Sequence, residues 1–84
     1  MELKDTVDMM LSEDYKERFK AEYYQVKIRY EALGKMLSDW DDGELDFTPT
    51  CPKMVLAVQH SAMRDYLDAL ERRVFEEGLV KDFH

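Results

Sequence analysis

An all-α fold, with a short N-terminal helix in front of a long antiparallel two-helix hairpin, is what this sequence predicts, on three observations. Glycine and proline are confined to Gly34, Gly43, Pro49, Pro52 and Gly78. The stretches between them carry apolar residues at three- and four-residue steps, the period of a helix with one dry face. A chain of 84 residues also has room for one domain only, and a core this small usually needs idealised packing or oligomerisation.

The first element is expected over residues 2–11, where Leu3, Val7, Met10 and Leu11 share a face and Glu2, Lys4, Asp5 and Asp8 take the wet side. Ser12 then reads as an N-cap, with Glu13 and Asp14 suited to the positive end of the next helix dipole. That helix spans residues 13–40. Phe19, Tyr23, Val26, Tyr30, Leu33, Leu37 and Trp40 form a heptad-like seam along it, and Tyr24, Ile28 and Met36 lie beside the seam. Gly34 interrupts helix propensity but not the seam, which predicts close packing at that point.

An acidic loop over 41–51 follows. Pro52 suits the first turn of the last helix, with Thr50 or Cys51 as its cap. This helix covers 52–77, with Leu56, Met63, Leu67, Leu70 and Val74 as its inner line, and Gly78 followed by Leu79 reads as a Schellman stop. The tail is 78–84. Two helices of this length run roughly 39 Å each, and Tyr24, Ile28, Met36, Val55, Val58, Tyr66 and Phe75 lie off the seam. The fold is therefore expected to be oligomeric, a dimer or larger ring.

Twelve Lys and Arg against nineteen Asp and Glu give a net charge of −7, which disfavours attraction to bulk DNA or RNA and to anionic membranes. No apolar run approaches the roughly 20 residues of a bilayer span, and the first residues lack the basic flank and apolar core of a signal peptide. A cytoplasmic protein is expected. Cys51 is the sole cysteine and cannot form an internal disulfide, while His60 and His84 are too far apart to suggest a metal pair. The acidic turn fails the EF-hand spacing, because counting back from Gly43 places Trp40 at the third ligand position. No metal and no cofactor are expected.

No enzyme motif emerges either: Cys51 and His60 stand two helical turns apart without an orienting group, and no glycine-rich phosphate loop occurs. Gln59 and His60 break the apolar pattern of the last helix, as polar residues that set register do. Arg72 and Arg73 read as partners of Glu76 and Glu77. The most informative segment is residues 12–30. Residues 13–38 carry six bases and five acids, so this stretch is net positive, while the N-terminal helix, the loop and the last helix are each acidic. Tyr15, Tyr23 and Tyr24 interleave there with Lys16, Arg18, Lys20 and Lys27. Rings that stack on bases and cations that hold phosphate are what a nucleotide ligand requires, and Arg64 could join them from the other helix. The same tyrosines also suit an ordinary amphipathic core, with Arg18 and Glu22 as a helical ion pair.

The run Ser12, Asp14-Tyr15-Lys16-Glu17-Arg18-Phe19-Lys20-Ala21-Glu22-Tyr23, then Leu45, Phe47, Pro49 and Cys51-Pro52, then Gln59, Ala62-Met63, Tyr66-Leu67, Leu70-Glu71 and Arg73, resembles a family of small phage and prophage proteins related to an uncharacterised crAss-like phage protein. The resemblance covers Val7 to Leu79 and departs at Val74 and in the acidic pair Asp41-Asp42. More distantly, the short front helix, long hairpin and Leu-Glu-x-Arg ending look like the anti-CBASS and anti-Thoeris sponges, with which phages sequester cyclic nucleotide signals of bacterial immunity. That likeness is one of architecture. It implies a non-enzymatic oligomer that buries an unaltered ligand between subunits, and it transfers no binding residue.

Together these readings predict a homo-oligomeric sponge for a cyclic di- or trinucleotide, with Tyr15, Tyr23 or Tyr24 stacking on bases and Lys16, Arg18, Lys20, Lys27 and Arg64 holding phosphates. Two other classes stay open. One is an acidic protein that mimics DNA and blocks a nuclease, although the charge excess is concentrated in the loop rather than in a stripe. The other is a phage assembly or regulatory adaptor that docks on a larger partner through an exposed apolar face.

Overall fold

The computed structural model describes residues 1–83, so the reading of His84 lies outside the described residues. Among these, every regular element is helical. A 3₁₀ turn at Leu3–Thr6 leads into α1 (Val7–Met10), α2 spans Tyr15–Asp41, α3 spans Lys53–Glu76, and a last 3₁₀ turn covers Val80–Asp82. The two long helices pack against each other and run antiparallel. Tyr15 meets Arg73 at one end, Glu22 meets Tyr66, Gly34 meets His60, and Asp41 meets Lys53 at the other. The molecule measures 42 × 24 × 19 Å, close to the roughly 40 Å that 27 helical residues require.

The N-terminal element is not one helix over 2–11. Thr6 is the reason, since it is buried to 1% exposure, and its hydroxyl donates to the Leu3 carbonyl at 2.7 Å while accepting from the Gln25 amide at 2.9 Å. Holding that hydroxyl against α2 tightens the first turn to 3₁₀, and the pair of bonds leaves the buried oxygen satisfied. Ser12 does not cap α2 either. Its hydroxyl accepts from the Asp14 amide at 3.0 Å, and Asp14, in extended backbone, is the cap whose carboxylate accepts from the Lys16 amide at 2.9 Å. Two short polar side chains in succession thus shape the turn, and α2 starts two residues later than the apolar pattern alone indicates.

At the loop, Pro52 is the N-cap of α3 rather than its first helical residue, with φ −57° and ψ 140°. Neither Thr50 nor Cys51 caps the helix. The Pro52 carbonyl instead accepts from the Val55 and Leu56 amides at 3.1 and 3.3 Å. Both long helices end in Schellman motifs. After α3, the Leu79 amide donates to the Val74 carbonyl at 2.9 Å and the Gly78 amide to the Phe75 carbonyl at 3.2 Å, with Gly78 at φ +69°. After α2, the acidic turn does the same through Gly43 at φ +72°, with Glu44 donating to Asp39 at 2.8 Å. Open space surrounds Gly78, so Gly78→Ala tests backbone conformation alone. It is expected to cost about 1–2 kcal/mol, the penalty of a left-handed residue, read as a lower midpoint in urea unfolding.

Burial is concentrated at the open end of the hairpin. Phe19, Leu70 and Leu79 form its centre, with Tyr23, Val26, Val74 and Phe83 packed around them. Ala21 is buried as well, at 1% exposure, and Leu67 at 3%. The seam continues toward the loop, but Leu33, Leu37, Trp40 and Leu56 are only partly covered, and no residue between Glu22 and Tyr66 is buried. Two helices alone cannot enclose a seam, so the buried part is the part that the C-terminal tail also covers. Off the seam, Val55, Val58, Tyr66 and Phe75 are exposed.

Candidate functional site

The helical period divides the polar residues of α2 into two flanks, and this division decides which of the candidate ligand residues come together. Lys16, Lys20, Tyr23 and Lys27 follow one another at steps of four and three residues, and with Tyr24 beside Tyr23 they share one flank. The rings of Tyr23 and Tyr24 meet edge to face at 5.4 Å between centroids, and the Lys27 ammonium lies 6.0 Å from the Tyr23 ring. Lys20 pairs with Glu17 at 3.6 Å. One turn further along, Tyr30 continues the flank, and α3 contributes Arg64, whose guanidinium carbon is 5.2 Å from the Tyr30 ring.

Arg64 is already engaged. It binds Asp68 at 2.6 Å and reaches Glu71 at 3.4 Å, and these acids, Asp68 foremost, hold its charge. On Tyr30 lies the His60 ring, stacked at 4.3 Å and 8°. The polar break in the last helix therefore locks the two helices in register through an aromatic pair beside Gly34.

Tyr15 and Arg18 stand apart from this flank. The Tyr15 hydroxyl donates to Glu77 at 2.9 Å and accepts from Arg73 at 2.5 Å, and Arg73 also donates to Glu77 at 3.1 Å. These bonds, that from Arg73 first, hold the Glu77 carboxyl below the usual carboxylate range. The Arg73 guanidinium carbon sits 4.4 Å from the Phe19 ring centroid, closing the open end. Arg18 donates to the Ser12 carbonyl at 2.9 Å, which ties the inter-helix turn to α2 in place of the expected pair with Glu22. Glu22 instead accepts from the Tyr66 hydroxyl, and this bond raises the Tyr66 pKa, with burial adding to it. Arg72 does pair with Glu76, at 2.8 Å.

A component of this flank that the sequence reading missed is Phe83. Its ring meets Tyr23 at 5.0 Å, Tyr24 at 5.9 Å and Phe19 at 5.8 Å. The only signal for it is one aromatic residue five positions beyond a helix stop, and no periodicity reaches so short a tail. Phe83 narrows the space beside Tyr23 to a hollow of about 90 Å³ lined by Tyr23, Glu71, Val74 and Phe83. A second hollow, of about 200 Å³, lies between Met1, Tyr24, Lys27, Ile28 and Glu31. Both fall below the roughly 300–1,000 Å³ of enclosed small-molecule sites, and a third hollow of about 380 Å³, between Met36, Asp39, Glu44 and Phe47, lies away from this flank at the acidic loop. On this flank a single chain therefore offers a ring-and-cation face rather than an enclosure.

No cluster of three or more His, Cys, Asp or Glu able to hold a metal occurs among the described residues. None of the helices there is long and apolar enough to cross a membrane. No curated protein and no solved structure matches the chain. The model of one family, described as Sequestin, matches residues 13–76, which is the two-helix hairpin without the N-terminal element and the tail. A match over so much of the chain shows the relationship, and the protein belongs to the Sequestin family.

Proposed function

We propose that this chain is a non-enzymatic anti-defence protein of a phage or prophage, acting in the cytoplasm of the bacterial host, which binds and sequesters a cyclic di- or trinucleotide immune signal between subunits of a homo-oligomer. The observation that carries the reading is the cluster of Tyr23, Tyr24 and Lys27 on α2, the one helix of this acidic protein with a net positive charge, prolonged by Tyr30 and by Arg64 from α3. Tyrosine faces stack on bases of any identity, and cations beside them meet phosphates through charge-assisted hydrogen bonds. Lys16 and Lys20 extend the cationic line. Arg18 and Tyr15 reach a ligand only with groups not already used in the turn and in the Arg73–Glu77 clasp. The family name, which speaks of sequestering, is compatible with this role.

Enclosure at this flank has to come from a second subunit, since one chain supplies only small hollows there. Ordering a ligand between preformed subunits limits the entropic cost of binding. Native mass spectrometry with a panel of cyclic di- and trinucleotides is the test. The expected result is an oligomer that gains whole ligands, which are recovered chemically unchanged. Lys27→Ala and Tyr24→Ala are expected to weaken that binding by about 10–100-fold, the value of a charged hydrogen bond or a stacked base, with helicity and oligomer mass intact. An oligomer that takes up no nucleotide overturns the proposal. The exposed Phe47, Met54 and Phe75 would then favour a protein-binding adaptor.

A further inference from the structure

We infer that Glu31 selects the base of the sequestered nucleotide, by accepting a hydrogen bond from its exocyclic amino group in the hollow between Met1, Tyr24, Lys27, Ile28 and Glu31. The inference rests on the nucleotide-binding reading and gives that site its base preference. Adenine, guanine and cytosine carry such a group; uracil and hypoxanthine do not.

The first observation is that this carboxylate is free. Glu31 has a lysine at each spacing that makes helical ion pairs, Lys27 four residues before it and Lys35 four residues after. Neither pairs with it. Lys35 binds Asp39 at 2.8 Å, and the Lys27 ammonium is turned to Tyr23, 6.0 Å from the ring centroid. A lysine that precedes a glutamate by four residues is the less favourable order for a helical pair, in keeping with the direction Lys27 takes. Among the described residues Glu31 therefore has no ion-pair or hydrogen-bond partner, and it stands exposed at the wall of the hollow.

The second observation is what surrounds it. Tyr24, Lys27, Ile28 and Glu31 are related by three- and four-residue steps, so they form one patch two turns long, with the ring at one end and the carboxylate at the other. Tyr23 at 5.4 Å and Phe83 at 5.9 Å hold the Tyr24 ring, and neither of them lines this hollow. At about 200 Å³ the space is smaller than an enclosed site for a whole drug-sized ligand, so it takes one base, with sugar and phosphates outside. Charge fixes the direction of entry. A carboxylate repels phosphate, and Lys16, Lys20 and Lys27 all precede Glu31 along α2, so the phosphates lie toward the lysines and the base edge points to Glu31. An ionised carboxylate accepts hydrogen bonds and donates none. It therefore favours an amino group opposite it and repels a carbonyl oxygen there, the same complementarity by which acidic side chains read amino groups on base edges.

The test is equilibrium dialysis of the full chain with cyclic di-AMP, cyclic di-GMP and cyclic tri-AMP, each beside a counterpart in which purine riboside replaces adenosine or inosine replaces guanosine. These exchanges remove the amino group and nothing else. A parent nucleotide that the wild-type chain retains is expected to bind about 10–100-fold more tightly than its counterpart, the value of a hydrogen bond to a charged group. In Glu31→Ala that ratio is expected to fall to about one while the parent still binds, and the ratio cancels any general gain from removing a negative charge near phosphate. A wild-type chain that binds parent and counterpart equally, or a ratio that survives Glu31→Ala, overturns the role of Glu31 and leaves the sponge reading standing. A wild-type chain that retains no nucleotide removes both together.

Discussion

Phe19→Ala is expected to remove about 3–5 kcal/mol of folding free energy, the range for deleting a buried aromatic side chain. The ring is 2% exposed and holds the open end together from three sides. Phe83 meets it edge-on at 5.8 Å, Tyr15 lies at 6.3 Å, and the Arg73 guanidinium covers it at 4.4 Å. Truncation leaves a void among Leu70, Leu79 and Val74 and takes away the surface on which the Arg73–Glu77–Tyr15 clasp rests. With so few residues fully buried, this loss is a large fraction of the roughly 5–15 kcal/mol that stabilises a typical domain. Thermal unfolding followed by circular dichroism should show a midpoint at least about 12 °C lower. Phe19→Leu, which keeps most of the volume, should recover more than half of the difference. A shift of only a few degrees for Phe19→Ala would mean that the open-end cluster is not the core of the protein.

Gly34→Val is expected to destabilise by about 2 kcal/mol, although helix propensity alone predicts a small gain for valine over an interior glycine. The sign is set by the facing helix. A Cβ at position 34 would stand 2.8 Å from the His60 Nε2, closer than packed atoms tolerate. His60 cannot turn away freely, because its ring is stacked on Tyr30 at 4.3 Å. The variant must therefore break the stack or part the helices, an overpacking cost of about 1–3 kcal/mol. The double-mutant cycle with His60→Ala separates this cause from others. In the His60→Ala background, Gly34→Val should become nearly neutral in urea unfolding. Equal penalties in both backgrounds would show that the backbone, not the histidine, excludes a side chain.

The tyrosine-rich face has a different status from this packing. Its members are legible in the sequence because cations and rings recur at helical spacing, but spacing assigns flanks only once the direction of the partner helix is known. Tyr23, Tyr24 and Lys27 meet because Tyr23 stands at the edge of the seam and Tyr24 and Lys27 lie beside it on that same side. Tyr15 sits nearly on the seam, where Arg73 and Glu77 reach across to it. Arg18 points to the other side, toward the Ser12 carbonyl. A list of candidate residues from one helix thus separates into a ring-and-cation flank and a structural clasp.

The sequence alone determines that the chain is helical, where its two long helices lie, and that Gly34 and Gly78 mark a close approach and a stop. Those properties follow from backbone preferences and apolar period, which are local and repeat along the chain. It does not determine that Asp14 rather than Ser12 caps α2, that Thr6 tightens the first turn by pairing with Gln25, or that Phe83 returns to cover Tyr23 and Tyr24. Each of those depends on competition between several nearby groups for one donor, one acceptor or one apolar surface. Only the tertiary structure decides such competitions, because the outcome is set by which partner the packed helices bring within reach.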